Sequence, residues 1–131
     1  MRRNKEVFID VFGVDDDYIK KGYQVSNFGR VKNKSGKIIY IHHKHPLKNK
    51  SGMPNPKHDY CEVTFYSNGK CKSYPLQRLV YMAFHHVKIN KGFDVHHIDG
   101  DKTKNTVDNL LLVTKAEHRR LTLIEKRRNK Q

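Results

Sequence analysis

The sequence reads DVHHIDGDKTKNTVDNLLLVTKAEH from residue 94 to residue 118, and this stretch decides the fold around it. The segment FDVHHID predicts a strand, DGDKTKN predicts a loop rich in turns, and NLLLVT predicts a second strand. Thr114 is followed by Glu117 at the spacing of a capping box, which predicts a helix from about Thr114. The stretch therefore predicts a ββα unit, in which a hairpin leads into a helix.

Three histidines of this unit suggest metal chemistry. Adjacent strand residues point to opposite faces of the strand. His96 and His97 can therefore face the same point only if the strand bends or bulges, which the following Asp99-Gly100 pair would permit. A hairpin folded on the helix brings His118 close to His96, and two imidazoles form half of a divalent-metal shell. The helix N-terminus adds N–H groups that suit a phosphate. His97 is then left as the predicted base for an attacking water.

The charge of the chain points to a polyanionic partner. The 131 residues include 27 Lys and Arg against 13 Asp and Glu, a net charge of +14. Nucleic acid is the commonest partner of such a protein, and an anionic membrane surface is the alternative. A transmembrane helix, a signal peptide and a disulfide framework are not expected, because no long apolar run occurs and only two cysteines are present. A cytosolic location is expected.

The chain before the ββα unit is predicted to be rich in strands. Residues 1–21 predict one or two short strands and a turn, and residues 23–40 predict three strands separated by turns. Residues 42–58, which are basic and rich in Pro, Gly and Asn, predict a loop. Residues 59–76 predict a hairpin, because Asn68-Gly69 suits a two-residue turn between arms of β-branched and aromatic residues.

The second half is predicted to contain both long helices. LQRLVYMAFHH, residues 76–86, has apolar residues at helical spacing and predicts an amphipathic helix. The helix that begins near Thr114 is predicted to give way to a basic tail, EKRRNKQ. The expected fold class is α+β, with residues 1–75 as a β-rich DNA-binding region and residues 76–131 as a helix followed by the ββα unit.

The ββα stretch resembles the HNH endonuclease family, of the ββα-metal type. The resemblance rests on His96-His97-Ile98-Asp99-Gly100-Asp101, Asn105, Asn109-Leu110, Val113-Thr114 and Glu117-His118. It implies that His96 and His118 bind the metal ion and that His97 is the general base. It further implies that Asn109, the central asparagine, braces the loop and helps to hold the base, and that Asn105 has a structural role.

The resemblance continues upstream and covers roughly residues 18–120. LQRLVYMAF looks like the helix that precedes the motif in phage and intron-encoded members. GYQVSNFGRVKN, residues 22–33, looks like the nuclease-associated modular DNA-binding motif of homing-type enzymes, and YCEVTFYSNGKCKSY looks like the hairpin that follows it. Gln77 departs from the histidine that relatives often have there. No helix-turn-helix follows residue 120, so recognition of a long target is not expected.

The function implied by the resemblance is metal-dependent hydrolysis of double-stranded DNA, by nicking or by double-strand cleavage. The implied cofactor is one Mg²⁺ or Mn²⁺, with Zn²⁺ or Ni²⁺ as alternatives. A phage or mobile-element origin, action in the bacterial cytoplasm, and a monomer or homodimer without a membrane partner are expected. The basic residues expected to contact DNA phosphates are Arg30, Lys32, Lys34, Lys48, Lys50, Arg119 and Arg120.

Two other functions remain open on the sequence alone. A DNA-binding protein could keep this fold without catalysis, although it would have no need of a base such as His97. A structural zinc module that binds RNA is the other, and the lack of a four-ligand set argues against it. Among the nearby carboxylates, Asp94 is expected to face solvent rather than to orient a histidine. Asp99 and Asp101 could add metal oxygens, but Asp99-Gly100 is expected to be simply a turn.

Overall fold

A computed structural model of the chain describes residues 5–44, Gly52 and residues 60–129. The strands are β1 (Phe8–Asp10), β2 (Gln24–Ser26), β3 (Val31–Lys32), β4 (His42–Lys44), β5 (Tyr60–Ser67), β6 (Lys70–Pro75), β7 (Phe93–His97) and β8 (Leu110–Thr114). The helices are α1 (Asp16–Lys20), α2 (Leu76–His85) and α3 (Lys115–Asn129), and a 3-10 turn precedes β8. None of the helices among these residues is long and apolar enough to cross a membrane.

Within the part of the chain that the structure describes, the strand pairs are antiparallel and form three small sheets. The strand orders are β1-β2-β3, β4-β5-β6 and β7-β8. The last sheet continues directly into α3, which gives the predicted ββα unit. The expected α+β fold class is therefore confirmed, since helices are combined with small sheets whose strands pair antiparallel.

The hairpin formed by β5 and β6 is built on a two-residue turn. Ser67 pairs with Lys70, and the residues between them, Asn68 and Gly69, have φ angles of 51° and 81°. Two consecutive positive φ angles require residues that tolerate the left-handed region, which Asn-Gly supplies. The turn therefore fixes the register of the hairpin, as the sequence predicted.

The core between the first two sheets is aromatic and is covered by α2. Phe65 is fully buried, and its ring stacks on that of Tyr23 with 4.2 Å between centroids and lies 5.9 Å from that of Tyr18. From α2, Leu79 and Val80 are fully buried and belong to the same cluster, which also contains residues of β7 and β8. The predicted two parts of the chain thus share one core, and the boundary between residues 75 and 76 stays a prediction.

Residues 1–21 contain a helix that the sequence did not predict, since only strands and a turn were expected there. Helix α1 carries Asp16 and Asp17 in its first turn and Lys20 in its last. These charges complement the helix dipole, and the buried Tyr18 anchors the helix to the core. Five residues are too few for helical periodicity to be visible in the sequence.

Three further local predictions were wrong. Residues 23–40 form two strands rather than three, since Ile38 makes only an isolated bridge with Lys32. His42–Lys44, expected to be loop, form β4 and pair with β5, with His43 opposite Cys61. A short edge strand of this kind takes its order from a neighbour that is distant in sequence. The basic residues predicted to form a tail continue α3 as far as Asn129. The rest of the predicted loop, residues 45–58 apart from Gly52, lies outside the described residues.

The turn between β2 and β3 packs directly against the loop between β7 and β8. The Val107 N–H donates to the carbonyl of Asn27 at 2.9 Å. Gly29 has a φ of +83°, and a Cβ placed on it would lie 2.8 Å from the backbone carbonyl oxygen of Asn105. Real Cβ atoms do not approach a backbone oxygen that closely, so only glycine fits at position 29 without a shift of the loop.

Candidate active site

The loop after β7 is held in shape by the buried side chain of Asn109. Its Oδ1 accepts a hydrogen bond from the Asp99 N–H at 3.1 Å. Its Nδ2 donates to Asp99 Oδ1 at 3.0 Å and to the Lys104 carbonyl at 2.9 Å. Both amide protons and the amide oxygen of Asn109 are therefore used to tie two separate points of the loop to the start of β8.

Asp99 and Asp101 form consecutive turns in this loop. Asp99 Oδ1 accepts a hydrogen bond from the Asp101 N–H at 2.8 Å, and Asp101 Oδ1 accepts from the Thr103 N–H at 2.9 Å. The Asp101 N–H and the amide of Asn109 lower the pKa of Asp99 below its ordinary value. Both carboxylates therefore shape the backbone, and the turn predicted at Asp99-Gly100 is confirmed.

His97 is buried and is held by Asn105. Its Nε2 lies 2.7 Å from Asn105 Oδ1, while Asn105 Nδ2 donates to the Lys102 carbonyl at 3.5 Å. With its amide oxygen toward the ring, Asn105 accepts the Nε2 proton, so the lone pair of neutral His97 is on Nδ1. Burial lowers the pKa of His97, against the opposing effect of the Asn105 hydrogen bond, and favours this neutral form.

The contact between Asn105 and His97 was not predicted, since the family resemblance implied only a general structural role for Asn105. The side chain that touches His97 is that of Asn105, whereas the side chain of Asn109 contacts the loop backbone and Asp99. Only the proximity of both asparagines to His97 in the sequence could have indicated such a partner.

His96 lies on the opposite side of β7 and faces α3. Its ring is 5.5 Å from that of His118 between centroids, at an interplanar angle of 70°. Its Nε2 is 3.2 Å from Glu125 Oε1. Burial lowers the pKa of His96, although the Glu125 carboxylate opposes the shift. The strand therefore needs no bend, because His96 and His97 serve different sides of it.

Asp94 orients His118, which contradicts the expectation that it faces solvent. Asp94 Oδ2 accepts a hydrogen bond from His118 Nδ1 at 3.0 Å, and Asp94 Oδ1 lies 3.2 Å from Lys115 Nζ and 3.3 Å from an Arg78 guanidinium nitrogen. Burial raises the pKa of Asp94, but the hydrogen bonds from His118 and Lys115 outweigh this effect and lower it. The contact leaves the Nε2 lone pair of neutral His118 free.

A sequence signal for the role of Asp94 was available. Residues at positions i and i+2 of a strand share a face, so Asp94 lies on the same side of β7 as His96. Once the helix is placed against that side, Asp94 must meet its first turn.

The first turn of α3 is set by the predicted capping box. The Glu117 N–H donates to Thr114 Oγ1 at 3.1 Å, and the Thr114 N–H donates to Glu117 Oε1 at 2.9 Å. These reciprocal bonds satisfy two backbone donors at the helix start. They also fix the direction in which His118 leaves the helix toward β7.

The arrangement of His96 and His118 fits a divalent metal ion held by two imidazoles. Two imidazoles on one ion have ring centroids about 5 Å apart, given metal–nitrogen distances of about 2.1 Å. The 5.5 Å separation of these rings is close to that spacing. Within residues 5–44, Gly52 and 60–129, no three His, Cys, Asp or Glu side chains are already gathered as a metal cluster. The pair is therefore a half-site with open positions.

The residues expected to contact DNA have different surroundings. Arg30 forms an ion pair with Glu6, and Lys32 Nζ lies 4.4 Å from the ring centre of Phe8. Lys34 is exposed beyond β3, and Arg119 and Arg120 are exposed on α3, immediately after His118. Lys48 and Lys50 lie outside the described residues. The exposed arginines closest in sequence to the histidine pair are thus on the helix that carries His118.

Comparison with known proteins gives related sequences over most of the chain. Residues 74–120 match the HNH endonuclease family. The chain is 30% identical over 105 residues to the H-N-H endonuclease F-TflII of Escherichia phage T5, covering 79% of this chain and 49% of that protein. It is 37% identical over 94 residues to the DNA endonuclease I-HmuI of Bacillus phage SP01, covering 70% of this chain and 46% of that protein.

A solved structure is similar as well. It describes DNA binding and cleavage by the HNH homing endonuclease I-HmuI, and it matches with a TM-score of 0.62 and 28% sequence identity over 92% of this chain and 59% of that one. The chain spans about half the length of the curated relatives it matches.

Proposed function

We propose, from the membership of residues 74–120 in the HNH endonuclease family, that this protein is a metal-dependent DNA endonuclease. The observation that carries the proposal is that the two adjacent histidines at the end of β7 have different partners on opposite sides of the strand. His97 is buried with Nε2 occupied by Asn105, while His96, on the other side of the strand, faces His118. A base and a metal half-site are thus one residue apart but point to separate partners.

His97 is proposed to take the proton from the attacking water through Nδ1. The hydrogen bond to Asn105 holds the ring, and burial keeps it neutral, so Nδ1 has a lone pair when the water arrives. After proton transfer, the Asn105 oxygen still accepts the Nε2 proton of the imidazolium. Asn105 therefore positions the base in both protonation states.

His96 and His118 are proposed to hold the metal ion, with Asp94 fixing the ring of His118. A bound divalent ion supplies positive charge that polarises the scissile phosphate and stabilises the leaving oxyanion. We infer Mg²⁺ or Mn²⁺ as the natural ion. Zn²⁺ and Ni²⁺ are the alternatives, because imidazole ligands suit Zn²⁺ and Ni²⁺ well. Mn²⁺ is the ion to test first, since it accepts both nitrogen and oxygen ligands.

Double-stranded DNA is the proposed partner, and phosphates are proposed to contact the basic surface. Arg119 and Arg120 are exposed directly after His118, which suits contacts beside the scissile bond. Lys32, Lys34, Lys48 and Lys50 remain proposed contacts of the N-terminal region. Arg30 is bound to Glu6, so a phosphate would have to displace that carboxylate to reach it. These contacts would position DNA without reading its sequence.

One such site per chain suits nicking of a single strand, and a homodimer would be required for concerted cleavage of both. The phage sources of both related proteins support action in the cytoplasm of a bacterial host. Supercoiled plasmid distinguishes the two modes, because nicking gives open circles first whereas paired cleavage gives linear DNA directly.

The decisive experiment compares wild type with His97→Ala on supercoiled plasmid in Mn²⁺ and Mg²⁺, with a chelator control. The variant should lose roughly 100-fold or more in cleavage rate while keeping its DNA affinity. His85→Ala removes an exposed histidine at the end of α2 and should cleave like wild type. Salt-sensitive DNA binding without cleavage in any metal would instead identify a non-catalytic DNA-binding protein.

A further inference from the structure

Glu125 of α3 reaches back to the histidine pair. It follows His118 by seven residues, which is two helical turns, so both side chains lie on the face of α3 turned toward β7. Glutamate side chains on a helix lean toward its N-terminus, and this direction brings Glu125 Oε1 to 3.2 Å from His96 Nε2. The family resemblance gave no role to this residue.

We propose that Glu125 is a third ligand of the metal ion, completing a site of two imidazoles and one carboxylate with His96 and His118. The proposal rests on the proposed function, since it extends the metal half-site described above. In the metal-bound protein, the direct contact between Glu125 and His96 is replaced by a shared ion. In that exchange the Nε2 proton of neutral His96 passes to solvent and Nδ1 takes up a proton, so the ring stays neutral with its Nε2 lone pair available to the ion.

The spacing of the two side chains matches that of neighbouring ligands on one ion. Two ligand atoms at about 2.1 Å from a metal, at angles between a right angle and the tetrahedral angle, are about 3.0–3.4 Å apart. The 3.2 Å between His96 Nε2 and Glu125 Oε1 falls in that range. His96 Nε2 and Glu125 Oε1 therefore already have the spacing of two ligand atoms on one ion.

The turn after β7 leaves space for this carboxylate. A Cβ on Gly100 would lie 3.3 Å from Glu125 Oε2, and Gly100 has a φ of +79°, which side chains rarely adopt. Thr122, one turn before Glu125, donates its hydroxyl to the His118 carbonyl at 2.9 Å and so does not compete for the site. The side chain of Glu125 is 34% exposed, which leaves the far side of the site open to water and DNA.

A carboxylate ligand changes which ions the site prefers. Two imidazoles alone suit Zn²⁺ and Ni²⁺, whereas Mg²⁺ and Mn²⁺ bind through carboxylate oxygens and water. Glu125 therefore provides the oxygen ligand that an Mg²⁺ or Mn²⁺ enzyme needs. Loss of this ligand should weaken Mn²⁺ binding more than Zn²⁺ binding.

The test is a titration of the full chain with Mn²⁺ alone, without DNA, followed by calorimetry and water-proton relaxation. Glu125→Gln should weaken Mn²⁺ binding about tenfold or more and add one water molecule to the bound ion. Asp16→Asn removes one negative charge at an exposed position of α1 and should bind Mn²⁺ like wild type. Thermal melting without metal shows whether each variant folds. If Glu125→Gln does not fold, the Mn²⁺ affinity of Glu125→Asp is measured instead, since its shorter carboxylate should also bind Mn²⁺ more weakly than wild type.

The outcomes separate this proposal from the proposed function. If His96→Ala and His118→Ala lose Mn²⁺ binding but Glu125→Gln binds it as tightly as wild type or more tightly, the histidine site stands and the role of Glu125 is overturned. If wild type binds no Mn²⁺, or the two histidine variants bind it with unchanged affinity, the proposed metal half-site is overturned. The proposed role of Glu125 is then overturned as well.

Discussion

The hairpins β5–β6 and β7–β8 have the same antiparallel topology but are held by different forces. The first closes over the two-residue turn Asn68-Gly69 and buries Phe65 completely. The second closes over the long loop of residues 98–109, and its buried residues include His96 and His97 beside Val95. In the first hairpin, local turn chemistry and apolar burial set the structure. In the second, hydrogen bonds from the side-chain amides and carboxylates of its own loop do so.

The difference shows where reactive groups can be kept in a small basic protein. A buried imidazole needs a partner, and the loop of the second hairpin supplies Asn105 for that purpose, while Asn109 holds the loop in shape. The first hairpin supplies the apolar contacts that a chain of net charge +14 needs in order to fold. Stability and chemistry are therefore largely carried by separate hairpins that share α2.

The largest effect is expected from Phe65→Ala in the first hairpin. Removal of a fully buried ring that stacks on Tyr23 should reduce the free energy of unfolding by about 3–5 kcal/mol. Urea unfolding measures the change. Tyr66→Ala, on the outer face at 61% exposure, is the control and should stay within about 0.5 kcal/mol of wild type. Equal losses in both variants would show that the aromatic core is not the main support.

A smaller loss of stability is expected from Asn109→Ala in the second hairpin. The Asp99 N–H and the Lys104 carbonyl lose their partner, at a cost of about 1–3 kcal/mol. Hydrogen exchange should become faster in residues 98–109 while the β5–β6 amides stay protected. Lys104→Ala, which keeps that carbonyl, should leave exchange unchanged. Uniformly faster exchange in both hairpins would show that the two hairpins are not held independently.

Asp94→Asn should affect the metal site without a large loss of stability. The variant loses the charge that orients His118, and Mn²⁺ binding should weaken about 10–100-fold. Calorimetric titration with Mn²⁺ measures the change. Lys115→Ala removes a different, exposed partner of Asp94 and should change the affinity much less. An unchanged affinity in Asp94→Asn would mean that His118 needs no carboxylate to bind metal.

The smallest effect concerns the pH dependence of the start of α3. Hydrogen bonds from the N–H and hydroxyl of Thr114 lower the pKa of Glu117, so the folded state favours the ionised form. Its contribution is complete above the ordinary glutamate pKa of about 4.3 and is lost as pH falls through the lower folded value. The difference in melting temperature between wild type and Glu117→Gln should therefore narrow on acidification below about pH 4.3. A constant difference down to pH 2.5 would refute this.

The parts of the fold that could be predicted are those with local causes. Asn68-Gly69 determines a turn by its backbone preferences, and Thr114 with Glu117 determines a helix start by reciprocal hydrogen bonds. Strand β4 could not be predicted, because its order depends on pairing with β5. Helix α1 is too short to show a period, and its stability comes from the burial of Tyr18 in a core assembled from elsewhere.

The histidines of the candidate site could be named from the sequence, but the side chains that contact them could not all be named. The spacing of His96 and His118 indicated that these two side chains would meet, with His97 on the other side of the strand, because strand alternation and the helix start fix their directions. The partners Asn105 and Glu125 depend on how the loop folds back and how α3 lies on β7, which are tertiary properties.

The contact between Gly29 and the carbonyl of Asn105 limits how such proteins can recombine. Evolution can exchange a DNA-binding segment freely only when the segment touches nothing that the catalytic part depends on. Here the incoming segment would have to bring a glycine at position 29 and a carbonyl at position 27 placed to meet Val107. A segment without them would displace the residue that holds His97. Inheritance of residues 22–33 should therefore follow that of the β7–β8 loop, whatever DNA sequence is recognised.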